Sequence, residues 1–234
     1  LVSGNANGRK GPLAHATNGY FAHGYGMKAK GMAGVGIALP QDSLAAATNP
    51  AGIAMVGDRM DVGVDLFKPN RNTELTSATG PMAGTYSGNG DSSFFIPEFG
   101  YNKSIDADSA FGVAVYGHGG MNTKYTTLNA ATAPYGTPSS TPPGLNLGSG
   151  DLGVNLSQLF IAPTYAKKLN ANNAVGISLN LAYQQFKAEG LQNFGINNPG
   201  TDSSTGWGAR IGWNGQVTPM VSLGATYQTK TKMG

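Results

Sequence analysis

Val175-Gly176-Ile177-Ser178-Leu179-Asn180-Leu181-Ala182-Tyr183 alternates large apolar residues with small or polar ones along its whole length. A period of two is the mark of a strand whose two faces meet different surroundings. A half-buried soluble strand shows it too. Here the pattern returns along the chain, and glycine, amides and charges repeatedly occupy the second face. Met60, Val62, Val64 and Leu66 oppose Asp61, Gly63 and Asp65. Phe95, Pro97, Phe99 and Tyr101 oppose Ile96, Glu98 and Gly100. Phe111, Val113 and Val115 oppose Gly112, Ala114 and Tyr116. Leu159, Ile161, Pro163 and Tyr165 oppose Gln158, Phe160, Ala162 and Thr164. Trp207, Ala209, Ile211 and Trp213 oppose Gly208, Arg210 and Gly212, and Val221, Leu223, Ala225 and Tyr227 oppose Ser222, Gly224, Thr226 and Gln228. About seven strands fit this template. A sheet greasy on one face and wet on the other suits a membrane barrel with a polar interior.

The connections carry a second signal. Short turns are expected near Asp106-Ala107-Asp108, at residues 170–173 and at residues 214–219. Between them run long polar links at roughly residues 70–92, 118–153 and 187–204. Alternating short and long connections are the rule in bacterial outer-membrane barrels, with short periplasmic turns and long external loops. Tyr101, Tyr165, Tyr183, Tyr227, Trp207 and Trp213 lie toward strand ends on the apolar face, as aromatic girdles do. Pro97 and Pro163 each remove a ladder donor and read as local defects in barrel strands.

Composition agrees. Only 12% of the 234 residues are charged, against about 25% in typical soluble domains. Mean hydropathy is −0.19, and no stretch approaches the roughly 20 apolar residues of a membrane helix. Barrel strands escape such windows because only every second residue meets lipid. The formal charge of +3 is scattered, which argues against nucleic acid as a partner. With no cysteine there is no disulfide framework and no thiolate metal site.

The chain divides into three parts. Residues 1–16 form a tail in which Ala14-His15-Ala16 fits a signal-peptidase site, though no apolar segment precedes it; a signal-peptide remnant and an unstructured tail are both open readings. Residues 17–56 do not alternate and are rich in Gly and Ala, suited to lying inside something else. Asp42 is placed to cap a short helix over residues 43–47, with Pro50 stopping it. Residues 57–234 carry the strands. Seven strands leave two open edges, costly in lipid, and single-chain bacterial barrels usually have an even count. The expected sequence is therefore half of a longer barrel.

Several stretches resemble the FadL/TodX family of outer-membrane transporters for long-chain fatty acids and other hydrophobic compounds. They are residues 14–21 (AHATNGYF), residues 23–32 (HGYGMKAKGM), Asn49-Pro50-Ala51, which matches the family's NPA element, and residues 116–123 (YGHGGMNT). The resemblance implies an all-β, transmembrane antiparallel barrel of fourteen strands, of which about seven are present, plugged by an N-terminal hatch at residues 17–56. It further implies ligand capture by external loops, passage to a pocket, and sideways release at an inward kink of the third strand, with Gly117, Gly119 and Gly120 close to that kink. Implied partners are fatty acids or hydrocarbons, outer-membrane lipid and lipopolysaccharide. The implied setting is the outer membrane of a Gram-negative bacterium, with a monomeric barrel, no cofactor and no enzymatic step.

Residue by residue, alternatives remain. Gly117, Gly119 and Gly120 weaken a strand and permit a bulge or unusual dihedrals, or else they turn the chain into the long loop. Asn49-Pro50-Ala51 either ends a short helix or couples hatch to wall. Arg210 points inward, as a ligand-carboxylate site or as the partner of Asp61, Asp65 or Glu98. Phe160 lines an apolar path or packs on the hatch; Tyr20 and Phe21 reach a pocket or join the core. His15, His23 and His118 are isolated and read as no metal site. No GxSxG, HExxH or phosphate-loop motif occurs, so no catalytic residue is assigned. A general porin and an outer-membrane lipid-modifying enzyme remain as rival functions.

Overall fold

The computed structural model describes residues 20–75, 84–126, 151–191 and 196–234. No described helix is long and apolar enough to cross a membrane. The main sheet is antiparallel throughout. Its order is β1 (Arg59–Phe67), β4 (Phe94–Ser104), β5 (Ser109–Tyr125), β6 (Leu152–Asn170), β7 (Asn173–Glu189), β8 (Thr201–Thr218), and then β9 (Val221–Gln228) together with β10 (Lys232–Met233) on the last edge. The sheet is open: no described strand pairs β1 with the far edge.

The seven alternating stretches lie in β1 and β4 to β9. β9 and β10 share one neighbour and differ in register by one residue, with Gln228 opposite Arg210 and Lys232 opposite Trp207. A bulge therefore interrupts what is otherwise one strand. Thr229 bridges the break, donating its N–H to the Ala209 carbonyl and accepting the Ala209 N–H on Oγ1.

Three expectations need correction. The link at residues 70–92 is not all loop, because β2 (Asn72–Leu75) and β3 (Gly84–Ser87) pair within it as a two-stranded sheet. β5 runs on to Tyr125, so Gly117 to Gly120 lie within a strand and not in a turn out of it. β8 continues to Thr218, leaving Pro219 and Met220 as the turn. The prolines of the long loop, Pro134, Pro138, Pro142 and Pro143, lie outside the described residues.

Burial follows the alternation, inverted from a soluble protein. Val62 is 74% exposed and Phe95 73%, whereas Ala114, Ala162 and Asn180 are fully buried. The buried face is covered by residues 20–58. These comprise helix α1 (Met27–Gly31) and two 3-10 turns, Ser43–Ala47 and Pro50–Ala54. The second turn packs on β6, β7 and β8, the first on β4 and β5. Leu44, Ala46, Ala47 and Ile53 meet Ala110, Ala114, Tyr116, Phe160 and Ala162 in one apolar cluster. Small residues on the wall let a backbone lie close against it.

The prolines behave as edge residues. The β4–β5 ladder ends at Phe99 opposite Val115, before Pro97 is reached. Opposite β7, β6 loses the rungs at Ala162 and Pro163 and resumes in the same register at Thr164. At the turn end, Asp58 accepts from Lys103 and from the Ser104 N–H, tying the start of β1 to the end of β4. The Lys103 bond, followed by that of Ser104, holds the Asp58 carboxyl down to about 2.

The fit of the plug on its glycine seat is open to test. A Cβ at Gly212 would run into the Asn49 side chain and come 2.8 Å from Pro50 Cδ, whereas one at Gly31 would meet nothing within 4 Å. Gly212→Ala is expected to loosen residues 20–58 by about 1–3 kcal/mol. Limited proteolysis of that segment should accelerate for Gly212→Ala and stay at the wild-type rate for Gly31→Ala.

Candidate functional site

Asn49 is 1% exposed and spans hatch and wall. Its extended backbone, forced by the following proline, makes it the N-cap of the second 3-10 turn, and Oδ1 accepts from the Ala51 N–H at 3.1 Å. Nδ2 donates at 2.8 Å both to the Ile37 carbonyl and to the Trp213 carbonyl of β8. Pro50 fills the first position of that turn. The Asn49 N–H also donates to the Ala45 carbonyl at 2.8 Å, so the NPA element closes the first 3-10 turn and begins the second. Pro50 and Ala51 rest on Gly176, where any side chain would collide with their backbone.

Arg210 lies on the same strand, 5% exposed. Its Nη1 donates to the Ala46 and Ala47 carbonyls, while Nε and Nη2 donate to Gln228 Oε1. The expected carboxylate pairing does not occur. Asp61 is taken by Arg59, and Asp65 and Glu98 by Lys30. The Arg210 charge serves the hatch backbone, which presents carbonyls that have no helix to satisfy them.

On the opposite side the hatch is held by ions. Lys30, from α1, lies 3.2 Å from Asp65 and also binds Glu98. Ser43 donates its N–H and Oγ to Asp61 Oδ2 at 3.0 and 2.7 Å. Asn102 donates to the carbonyls of Ile53 and Gly57.

A break in the wall lies between β4 and β5. Beyond Val115, β5 keeps its β6 partner up to Tyr125 opposite Leu152 but has no β4 partner. The β6 register shifts between Gly117 and Gly119, leaving His118 as the extra residue of a bulge. Hatch residues take the vacated edge: the Ala22 N–H donates to the His118 carbonyl at 3.3 Å and the Gly120 N–H to the Tyr20 carbonyl at 2.8 Å, with Phe21 opposite Gly119. Farther along, Gly90 donates to the Lys124 carbonyl and Lys124 to the Gly88 carbonyl. None of Gly117, Gly119 and Gly120 has a positive φ. Their value is close approach instead: a side chain at Gly119 would strike the Tyr20 carbonyl, and one at Gly117 would strike Ile96.

The residues singled out in the sequence thus form two groups. Tyr20, Phe21, Gly117, Gly119, Gly120 and Phe160 surround the break; Asn49, Pro50, Ala51 and Arg210 form the attachment to β8. Phe160 joins the apolar cluster with Leu44, Ala46, Ala47 and Ile53, its ring 4.1 Å from that of His118 and 5.8 Å from that of Tyr116 on β5. Tyr20 and Phe21 are about 40% exposed at the break. Sequence reasoning missed Lys30, Tyr25 and His118. The glycines on either side of Tyr25 were the one visible sign of a built turn. Among the described residues no group of His, Asp or Glu is arranged to hold a metal.

The fold occurs in solved structures. The Pseudomonas putida toluene transporter TodX superposes with a TM-score of 0.68 at 18% identity, over 91% of this chain and 57% of that one. The Ralstonia pickettii toluene transporter TbuX gives 0.64 at 21% identity, over 91% and 58%. A Pseudomonas aeruginosa FadL homologue gives 0.58 at 15%, over 91% and 53%. The chain has the fold of these transporters. It spans little more than half the length of each. No family model matches the sequence, and no curated protein matches it significantly.

Asn49→Ala removes the side-chain donor of the Trp213 carbonyl and leaves the Ile37 carbonyl only Asn214 Nδ2 at 3.4 Å, a cost of about 1–3 kcal/mol. Asn49→Asp keeps the cap to Ala51 but supplies no donors, so it should be no more stable than Asn49→Ala. Thermal denaturation of the two variants beside wild type checks this, and a wild-type midpoint for Asn49→Asp would refute it.

Proposed function

We propose that this chain forms wall and hatch of an outer-membrane transporter that passes hydrophobic compounds by passive diffusion and releases them sideways through the β4–β5 break. The observation that carries the reading is the break itself: an interrupted ladder at a bulge, closed not by wall but by the first described residues of the hatch. The exposed apolar face of the sheet supports a lipid setting, and the likeness to two toluene transporters and a FadL homologue supports a hydrophobic cargo.

No chemistry is required. An apolar path captures a ligand by removing it from water, at about 0.8 kcal/mol per CH₂. The hatch blocks a straight polar route, and displacement of residues 20–22 opens a sideways one into the bilayer. Asn49, Pro50 and Ala51 transmit hatch position to β8. Fatty acids and aromatic hydrocarbons both fit this reading. The setting is a Gram-negative outer membrane, with lipid and lipopolysaccharide around a monomeric barrel.

Uptake of a labelled hydrophobic compound by cells making the intact protein tests the reading. Asn49→Ala combined with Pro50→Ala should lower uptake about fivefold or more at unchanged outer-membrane amount. Deleting residues 17–56 should abolish the preference for hydrophobic over small hydrophilic solutes. Normal uptake in the first variant, or retained preference in the second, would contradict the proposal; retained preference is what a general porin would give.

A further inference from the structure

His118 joins three parts of the molecule that otherwise meet only weakly. As the extra residue of the β5 bulge it has no partner on β6. Its carbonyl accepts the Ala22 N–H, so its backbone holds the strand-like plug at residues 20–22. The residue is buried, and its Nδ1 lies 2.8 Å from the Tyr25 hydroxyl. The ring centroids of Phe160, Phe21 and Tyr25 lie 4.1, 5.0 and 5.7 Å away. The Tyr25 hydroxyl also lies 3.5 Å from the His118 carbonyl, so both polar atoms of the bulge residue face it.

Tyr25 is presented with equal care. Gly24 and Gly26 flank it at φ of 84° and 87°, values a side-chain-bearing residue rarely adopts. A Cβ at Gly24 would also fall 2.9 Å from the Gly34 backbone. The turn leads directly into α1, which Lys30 binds to Asp65 and Glu98 on the wall. A movement of α1 therefore acts on Tyr25, and Tyr25 acts on the residue that holds the plug.

We propose that the Tyr25–His118 hydrogen bond is the clasp through which the hatch sets how often residues 20–22 leave the β5 edge. Both are positioning residues; neither needs to touch the cargo. The uptake consequence rests on the sideways-release reading, but the clasp itself does not.

Amide hydrogen exchange of the intact protein in detergent micelles tests the clasp directly. The reporters are the Ala22 and Gly120 amides, which donate across the plug, with residues 174–182 of β7 as the internal control. Tyr25→Phe and His118→Leu should each speed exchange at the reporters about two- to tenfold while β7 is unchanged. The double variant should be no faster than the faster single. His118→Asn, which restores a polar atom near the Nδ1 position, should recover much of the protection. Wild-type exchange in both single variants, additive effects in the double, or equal acceleration in β7 would overturn the clasp. Faster exchange at the reporters with unchanged uptake of a labelled hydrophobic compound would leave the clasp standing and overturn sideways release instead.

Discussion

A strand that faces lipid on one side must have every backbone donor and acceptor satisfied by protein, because hydrocarbon offers none. The rest of this structure follows from how β5 meets that demand. Past Val115 it loses β4, and residues 20–22 and 88–90 take up its edge. The partner at the break is thus a segment of the hatch. A wall rung would be locked by long pairing on both flanks, whereas a three-residue bridge with two hydrogen bonds is among the least costly contacts in the sheet to break.

The two sides of the hatch are fastened by different chemistry. Toward β7 and β8 the contacts are hydrogen bonds and close packing: Asn49 on the Trp213 carbonyl, Pro50 on Gly176, and the Arg210 guanidinium on the Ala46 and Ala47 carbonyls. Toward β1 and β4 ion pairs join in: Lys30 with Asp65 and Glu98, beside the hydrogen bonds from Ser43 to Asp61. Close packing against glycine loses everything with a small shift, while an ion pair retains attraction as it lengthens.

The strands were legible because alternation is a local property. Each of the seven stretches falls in a strand, and the faces point as their parity requires. The Gly- and Ala-rich, non-alternating composition after the tail marked a segment of another kind, and its described part, residues 20–56, lies against the buried face of the sheet. What could not be read depends on pairing between distant segments. Arg210 looked like the partner of an acid because an inward charge usually has one, yet its partners are backbone carbonyls some 160 residues earlier, a choice no spacing encodes. Gly117, Gly119 and Gly120 stood out, but the reason for them, close approach by Ile96 and Tyr20 and not a special dihedral, needed the neighbours in place. His118 was passed over as isolated because its partners are Tyr25 and Phe160.

The central claim, that hydrophobic compounds leave between β4 and β5, is most directly tested by stapling that gap. The chain has no cysteine. A Cβ at Gly117 would lie 3.9 Å from the Cβ of Ile96, against about 3.8 Å in ordinary disulfides. In the intact protein carrying Ile96→Cys and Gly117→Cys, oxidation should abolish uptake of a labelled hydrophobic compound and reduction should restore it. Uptake that proceeds unchanged with the disulfide formed would contradict exit through the wall at this point.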